Sequence, residues 1–210
     1  MPTVVSGRAG LRKTPSGADE RWYTGALTVT IDPTLAQATP SARDAIVSAF
    51  GAWASSDASL PQLSFDVSST PGQAAQDGVN RLLLGPITVQ GHEDALAITI
   101  SYVDTEGAVV EADTIFNNAY DWAAIDPAEN NEDEGDDRCH HRYDLQNVAT
   151  HEAGHFFGLG EDYGDESTTM YVSSKTCQTS KRMLSKPDVS VVTGLYAESP
   201  AAPQRAGCGR

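Results

Sequence analysis

His151-Glu152-Ala153-Gly154-His155-Phe156-Phe157-Gly158-Leu159-Gly160-Glu161 is the stretch around which the rest of the chain must be arranged. Two histidines four apart on a helix differ by about 40° in azimuth, so both imidazoles project from one face, one turn apart. That spacing lets two ring nitrogens reach one tetrahedral zinc at about 2.0–2.1 Å. Glu152 adjoins the first histidine, too near to be a good third ligand, and is suited instead to hold a water and take its proton. Gly158 lets the helix stop and reverse, because glycine enters the left-handed conformation without penalty. Three residues beyond it stands Glu161, whose carboxylate can ligate zinc at about 2.0–2.2 Å. Asp162 is the alternative if the turn slips by one residue, and Glu161 is favoured. The helix is expected to run from Leu145 to Gly158 with Asp144 as its N-cap.

Outward from this helix, the 210 residues suit one large domain, able to bury roughly 70% of its unfolded surface without help from metal or disulfides. With 40% hydrophobic and 20% charged residues the composition is globular, which excludes a wholly disordered chain. No apolar run approaches the ~20 residues that cross a bilayer, so a soluble protein is expected. A net charge of −15 repels phosphate backbones and anionic lipid, so neither nucleic acid nor membrane is an expected partner. Met1 to Arg8 contains no apolar segment of the kind an export signal carries.

Residues 1–20 lack periodicity and read as an irregular arm. Ala26–Ile31 alternates apolar and polar residues and reads as a strand that ends at Asp32-Pro33. A helix opens at Pro40-Ser41, with Ala45, Ile46, Ala49, Phe50, Trp53 and Ala54 on one stripe that belongs to the core. Further strands are expected at Leu63–Val67, Asn80–Leu84, Ala95–Val103 and Ala108–Phe116, the last two joined by the turn Asp104 to Gly107. The acid-rich stretch Asp126 to Asp137 reads as a solvated loop between a strand-rich half and a helical one. A last helix is expected over Ser185–Tyr196, with Val189, Val192, Leu195 and Tyr196 inward, and a flexible tail over 198–210. No internal repeat is present.

The stretch His151–Glu161 resembles the metzincin zinc-peptidase motif HExxHxxGxxH/D. Ser167-Thr168-Thr169-Met170-Tyr171 resembles the metzincin Met-turn, which would put Met170 beneath the metal. Arg21-Trp22 ahead of the Leu27–Ile31 strand, the helix ending in Trp53, the strands around Ala95–Phe116, and Tyr143-Asp144-Leu145-Gln146 resemble the matrixin branch in order and spacing, over about residues 20–197. The resemblance implies an α+β fold of α/β/α type. It comprises a twisted, mixed five-stranded sheet, a long helix, a zinc helix ending at Gly158, the Met-turn and a C-terminal helix. A catalytic domain would span 21–197, strand-rich to about 158 with a lower part after it. The implied activity is a secreted, monomeric zinc endopeptidase with His151, His155 and Glu161 as ligands and Glu152 as general base and acid. Its partner would be a protein or peptide lying extended beside an edge strand at Leu96–Ser101, with Leu96, Ala97 and Ile98 in contact. The pocket for the residue after the cut would lie between the zinc helix and the segment following Met170, including Tyr171, with an apolar preference.

The chain also departs from that pattern. Glu161 stands where matrixins commonly have a third histidine, and an anionic ligand leaves less positive charge on the metal. The His/Asp constellation of a second, structural zinc is missing, and His92 alone cannot supply it. No tyrosine lies two residues after Met170, so no tyrosine ligand is expected. Three cysteines give one pair and one leftover. A Cys139–Cys177 bridge is expected to pin the acidic loop to the cleft wall. Cys208 is read as an unpaired tail thiol, with a fold-back onto the zinc as the sharper alternative; latency through Asp19 or Glu20 is equally open. His140 and His141 read as surface residues. Glu129 to Asp137 (ENNEDEGDD) reads as a solvated loop, with Ca2+ binding as the alternative although the EF-hand order is missing. The rival to the enzyme is a non-catalytic module of the same fold that binds zinc or protein. The intact Glu152 argues against it.

Overall fold

Val29 and Ile31 are fully buried while their neighbours along the strand are not, which is the alternation that makes β1 (Ala26–Ile31) a strand with one face on the core. The computed structural model describes residues 10–126, 139 and 141–197. After β1 come a short helix α1 (Pro33–Ala36), the long helix α2 (Ala42–Ala54), and strands β2 (Gln62–Val67), β3 (Asn80–Gly85), β4 (Ala97–Val103) and β5 (Val109–Asn117). Two-residue strands β6 (Trp122–Ala123) and β7 (Tyr143–Asp144) lead into α3 (Leu145–Phe156), and α4 (Lys186–Ala197) ends the fold. The five long strands form one mixed sheet in the order β2-β1-β3-β5-β4, in which only β4 runs antiparallel to its neighbour. This is the α+β architecture with a mixed five-stranded sheet that the resemblance implied.

The apolar stripe of α2 is buried as its spacing required. Ile46, Ala49, Phe50 and Trp53 are fully inaccessible, and burying each large side chain of this kind contributes about 1.5–3 kcal/mol. The Trp53 indole also donates to the main-chain carbonyl of Thr150, at 2.7 Å, so the core helix is bonded directly to the helix that carries the histidines. Phe156 continues that contact, edge-on to Phe50 and tilted against Trp22.

Several boundaries differ from the sequence reading. Helix α1 follows the first strand where only a strand end was expected, because Asp32 caps it through Thr34 N–H and Pro33 supplies a helical φ in its first turn. Helix α2 starts at Ala42, with Ser41 in a left-handed conformation before it. The strand expected from Ala95 begins at Ala97, and the helix expected to reach Gly158 has its last helical residue at Phe156. Residues 10–20 form no regular element, yet they are docked. Leu11 bridges Leu159, Lys13 bridges Asp19, and Arg12 N–H donates to the Gly158 carbonyl. Such isolated bridges leave no periodic trace in a sequence. A disulfide joins Cys139 to Cys177, with Cα atoms 5.7 Å apart, beside Ala123 and Ile125. His141 is exposed. His140, the acidic stretch 129–137 with its Ca2+ alternative, and Cys208 lie outside the described residues.

The loop between β2 and β3 is held by three buried carboxylates. Asp32 accepts from Gly72 N–H, Glu111 from the N–H groups of Asp77 and Gly78, and Asp113 from those of Ala75 and Arg81. All three side chains are 2% exposed or less.

Candidate metal centre

Asp144 caps α3 by accepting from Asn147 N–H at 2.7 Å, and Arg182 pairs with the same carboxylate. The helix is therefore fixed at its start. Its end closes with paired bonds, Gly158 N–H to the His155 carbonyl and Leu159 N–H to the Gly154 carbonyl, both 3.0 Å. Gly158 takes φ +97°, and a Cβ there would stand 2.1 Å from the Glu20 carbonyl oxygen. The residue is thus required both by the turn and by the docked arm.

The reversal brings Glu161 back over the helix. Its Oε2 lies 3.3 Å from His151 Nε2 and its Oε1 lies 3.3 Å from His155 Nε2. Two donors each about 2.0–2.1 Å from one tetrahedral centre stand roughly 3.3 Å apart, so these separations suit a shared zinc. The three side chains offer donor atoms that all lie within 4.8 Å of one another. His151 Nδ1 is 2.9 Å from the Thr169 carbonyl and His155 Nδ1 is 2.8 Å from the Leu159 carbonyl. A carbonyl can only accept, so each Nδ1 carries the proton and each Nε2 is left with its lone pair toward Glu161. Glu161 Oε2 is a buried atom with no hydrogen-bond partner among the described residues. A half-buried carboxylate facing two imidazole lone pairs is the donor set a divalent cation completes.

Asp162, the alternative ligand, is engaged elsewhere. Its carboxylate accepts from Gly164 N–H and the Thr168 hydroxyl, at 2.7 and 3.0 Å, and its main chain pairs with Met170 and Val172. Met170 is fully buried under α3, where its sulfur would meet a Cβ at Gly154 at 2.1 Å. The N–H of Met170 donates to Asp188 on α4. Glu152 is 3% exposed and its Oε2 accepts from the Thr99 hydroxyl at 2.8 Å.

Strand β4 forms the sheet edge beside this centre. Asn117 N–H donates to the Leu96 carbonyl, so in the antiparallel register the main-chain groups of Ala97, Thr99 and Ser101 turn outward. Leu96 precedes the strand. Ile98 is a correction: its main chain faces β5 and its side chain packs with Leu83, Ile87 and Ile115 on the far side of the sheet, so it does not border the cleft. The outward carbonyl of Thr99 already accepts from Arg12 Nη1 at 3.2 Å.

The segment beyond Met170, where an apolar pocket is expected, carries many polar groups. A cavity of about 270 Å³ beside Tyr171 is lined by Glu166, Ser173, Lys175, Thr176, Gln178 and Ser180. Between α3 and the same segment, Asn147 bonds Ser174 and the Lys181 main chain, and the Lys181 ammonium donates to the Tyr171 carbonyl. Burial lowers the Lys181 pKa to about 8 against the pull of Glu161, Glu152 and Asp188. The polar run Ser173 to Thr176 carried this signal in the sequence. Asn147 carried it too, since it lies one turn before His151 on the same face of α3.

A family model described as Matrixin matches residues 21–197. A search among curated proteins found no match.

Proposed function

The chain belongs to the matrixin family, whose members are zinc metallopeptidases, and from that premise we propose that it is a secreted zinc endopeptidase acting on extended protein or peptide substrates. The observation that carries the reading is the Glu161 carboxylate set 3.3 Å from two imidazole nitrogens whose far sides are bonded to main-chain carbonyls. His151, His155 and Glu161 would hold the zinc, and Asp162 would not. When bound, that ion supplies a Lewis acid for the scissile carbonyl and lowers the pKa of a water.

The chain's own groups do the rest. Glu152 takes the proton of the attacking water and later returns it to the leaving amine. Its burial beside the histidines keeps that proton from bulk solvent. The substrate adds as a strand along the outward main-chain groups of Ala97 and Ser101, and Tyr171 borders the position after the cut. Met170 supports the histidine face from below through its contact at Gly154. The Cys139–Cys177 disulfide supports an oxidising compartment and hence secretion. Among the described residues no helix is long and apolar enough to cross a membrane. A monomer acting alone is sufficient for this reading, because every residue it uses comes from one chain.

Digestion of casein and of a peptide library, with and without a zinc chelator, tests the proposal with Glu152→Ala as control. Cleavage is expected from the wild type only and is abolished by chelation. Cleavage that survives both chelator and substitution overturns zinc catalysis. Equal inactivity of wild type and Glu152→Ala, with zinc bound to both, favours the non-catalytic binding module.

A further inference from the structure

Two buried threonines connect the sheet to Glu152. Thr99 on β4 and Thr114 on β5 are direct cross-strand partners, 8% and 0% exposed. Their hydroxyl oxygens are 2.9 Å apart, and Thr99 Oγ1 is 2.8 Å from Glu152 Oε2. The main-chain carbonyl of Glu152 lies further from that hydroxyl, at 3.3 Å. Each hydroxyl has one proton to give. The carboxylate oxygen at 2.8 Å is the nearer acceptor, so the Thr99 proton goes to Glu152 Oε2. The Thr99 oxygen then accepts from Thr114, which leaves a directed chain from Thr114 through Thr99 to Glu152.

The sheet does not need these hydroxyls. Valine has the same shape and suits a buried strand at least as well, without polar atoms to satisfy. Thr99 is also held from outside, since its carbonyl accepts from Arg12. Strand register, Thr114 and the docked arm thus fix one hydroxyl at one oxygen of Glu152.

We propose that Thr99 is a positioning residue for peptide hydrolysis, whose hydroxyl, oriented by Thr114, holds Glu152 Oε2 so that the other carboxylate oxygen is aimed at the attacking water. This rests on the peptidase reading above. In its absence the carboxylate turns among rotamers, and the fraction of encounters in which it can take a proton falls.

The test uses the zinc-loaded full chain and a fluorogenic peptide. A lost hydrogen bond to a charged group predicts that Thr99→Val lowers kcat roughly 10- to 100-fold with KM nearly unchanged. Thr99→Ser, which keeps the hydroxyl, restores most of kcat, and Thr114→Val falls between. Zinc content and Tm stay close to wild type in all three. A crystal structure of Thr99→Val is expected to show the Glu152 carboxylate turned away while His151, His155 and Glu161 keep their places. The proposal is overturned by an unchanged kcat in Thr99→Val, by Ser and Val variants failing equally, or by a loss that resides in KM or in zinc content. If wild type and Glu152→Gln are equally inactive, the peptidase reading has failed. An unmoved Glu152 carboxylate in the Thr99→Val crystal would instead refute the positioning role, whatever the activity.

Discussion

Glu161 and Asp162 are adjacent acids with different surroundings. The Glu161 carboxylate faces two imidazole nitrogens and has one buried oxygen without a hydrogen-bond partner among the described residues, whereas both oxygens of Asp162 are occupied by donors of the loop that follows. Glu161→Ala is therefore expected to lose zinc, with affinity falling by more than the roughly 10- to 100-fold typical of removing a group behind a ligand. Asp162→Ala should keep one zinc per chain but lose two hydrogen bonds, at a cost of about 1–3 kcal/mol. Elemental analysis and thermal denaturation of the two variants separate these outcomes. An Asp162→Ala protein without zinc, beside a loaded Glu161→Ala protein, would exchange the roles of the two residues.

Helix α3 owes its function to how it ends. The last helical residue is Phe156, and the turn through Gly158 at φ +97° both redirects the chain toward the histidines and leaves room for the Glu20 carbonyl. Gly158→Ala combines a disfavoured conformation with a 2.1 Å approach to a main-chain atom, so it should destabilise the protein by about 2–3 kcal/mol and weaken zinc binding together. Denaturant unfolding of the metal-free and zinc-loaded forms would register both losses, and a variant as stable and as zinc-avid as wild type would show the turn to be dispensable. The histidine spacing, this glycine, the alternation in β1 and the hairpin of β4 and β5 were legible in the sequence, because each is a local pattern. What escaped notice depends on contacts across the chain. The docking of residues 10–20 uses main-chain groups that no residue type announces. Thr99 reads as an ordinary strand residue until β5 and α3 place Thr114 and Glu152 beside it. The polar surroundings of Lys181 depend on Asn147 and Ser174, which meet only when α3 packs against the segment after Met170.

At the scale of the whole molecule the chain carries a net charge of −15, and its acids do not all lie in solvent. The disulfide spans a sequence separation of 38, for which loop-closure entropy gives roughly 3–4 kcal/mol, so Cys139→Ser with Cys177→Ser should lower Tm while zinc binding persists. Calorimetry with parallel zinc analysis would check this, and an unaltered Tm would contradict it. Asp113, one of the buried carboxylates that hold the loop between β2 and β3, makes a second, pH-dependent contribution. Burial raises the Asp113 pKa to about 6, bonds from Arg81 and Ala75 N–H oppose that, and Glu111 and Asp77 add to it. Between about pH 4 and 6 the folded protein therefore holds a proton that the unfolded chain has released, and stability from this group falls as pH rises through that window. The displacement from 3.8 to about 6 corresponds to a stabilising contribution on the order of 3 kcal/mol, fully present below about pH 4 and gone above about pH 6. Asp113→Asn removes the charge and keeps one acceptor for the loop, so its own deficit is constant with pH. Acid release of zinc affects both proteins alike and cancels in their comparison. Urea unfolding of the two from pH 4 to 7 should show the wild type losing ground steadily against Asp113→Asn, and a difference that stays flat across that range would mean that Asp113 is already ionised in the folded state at pH 4.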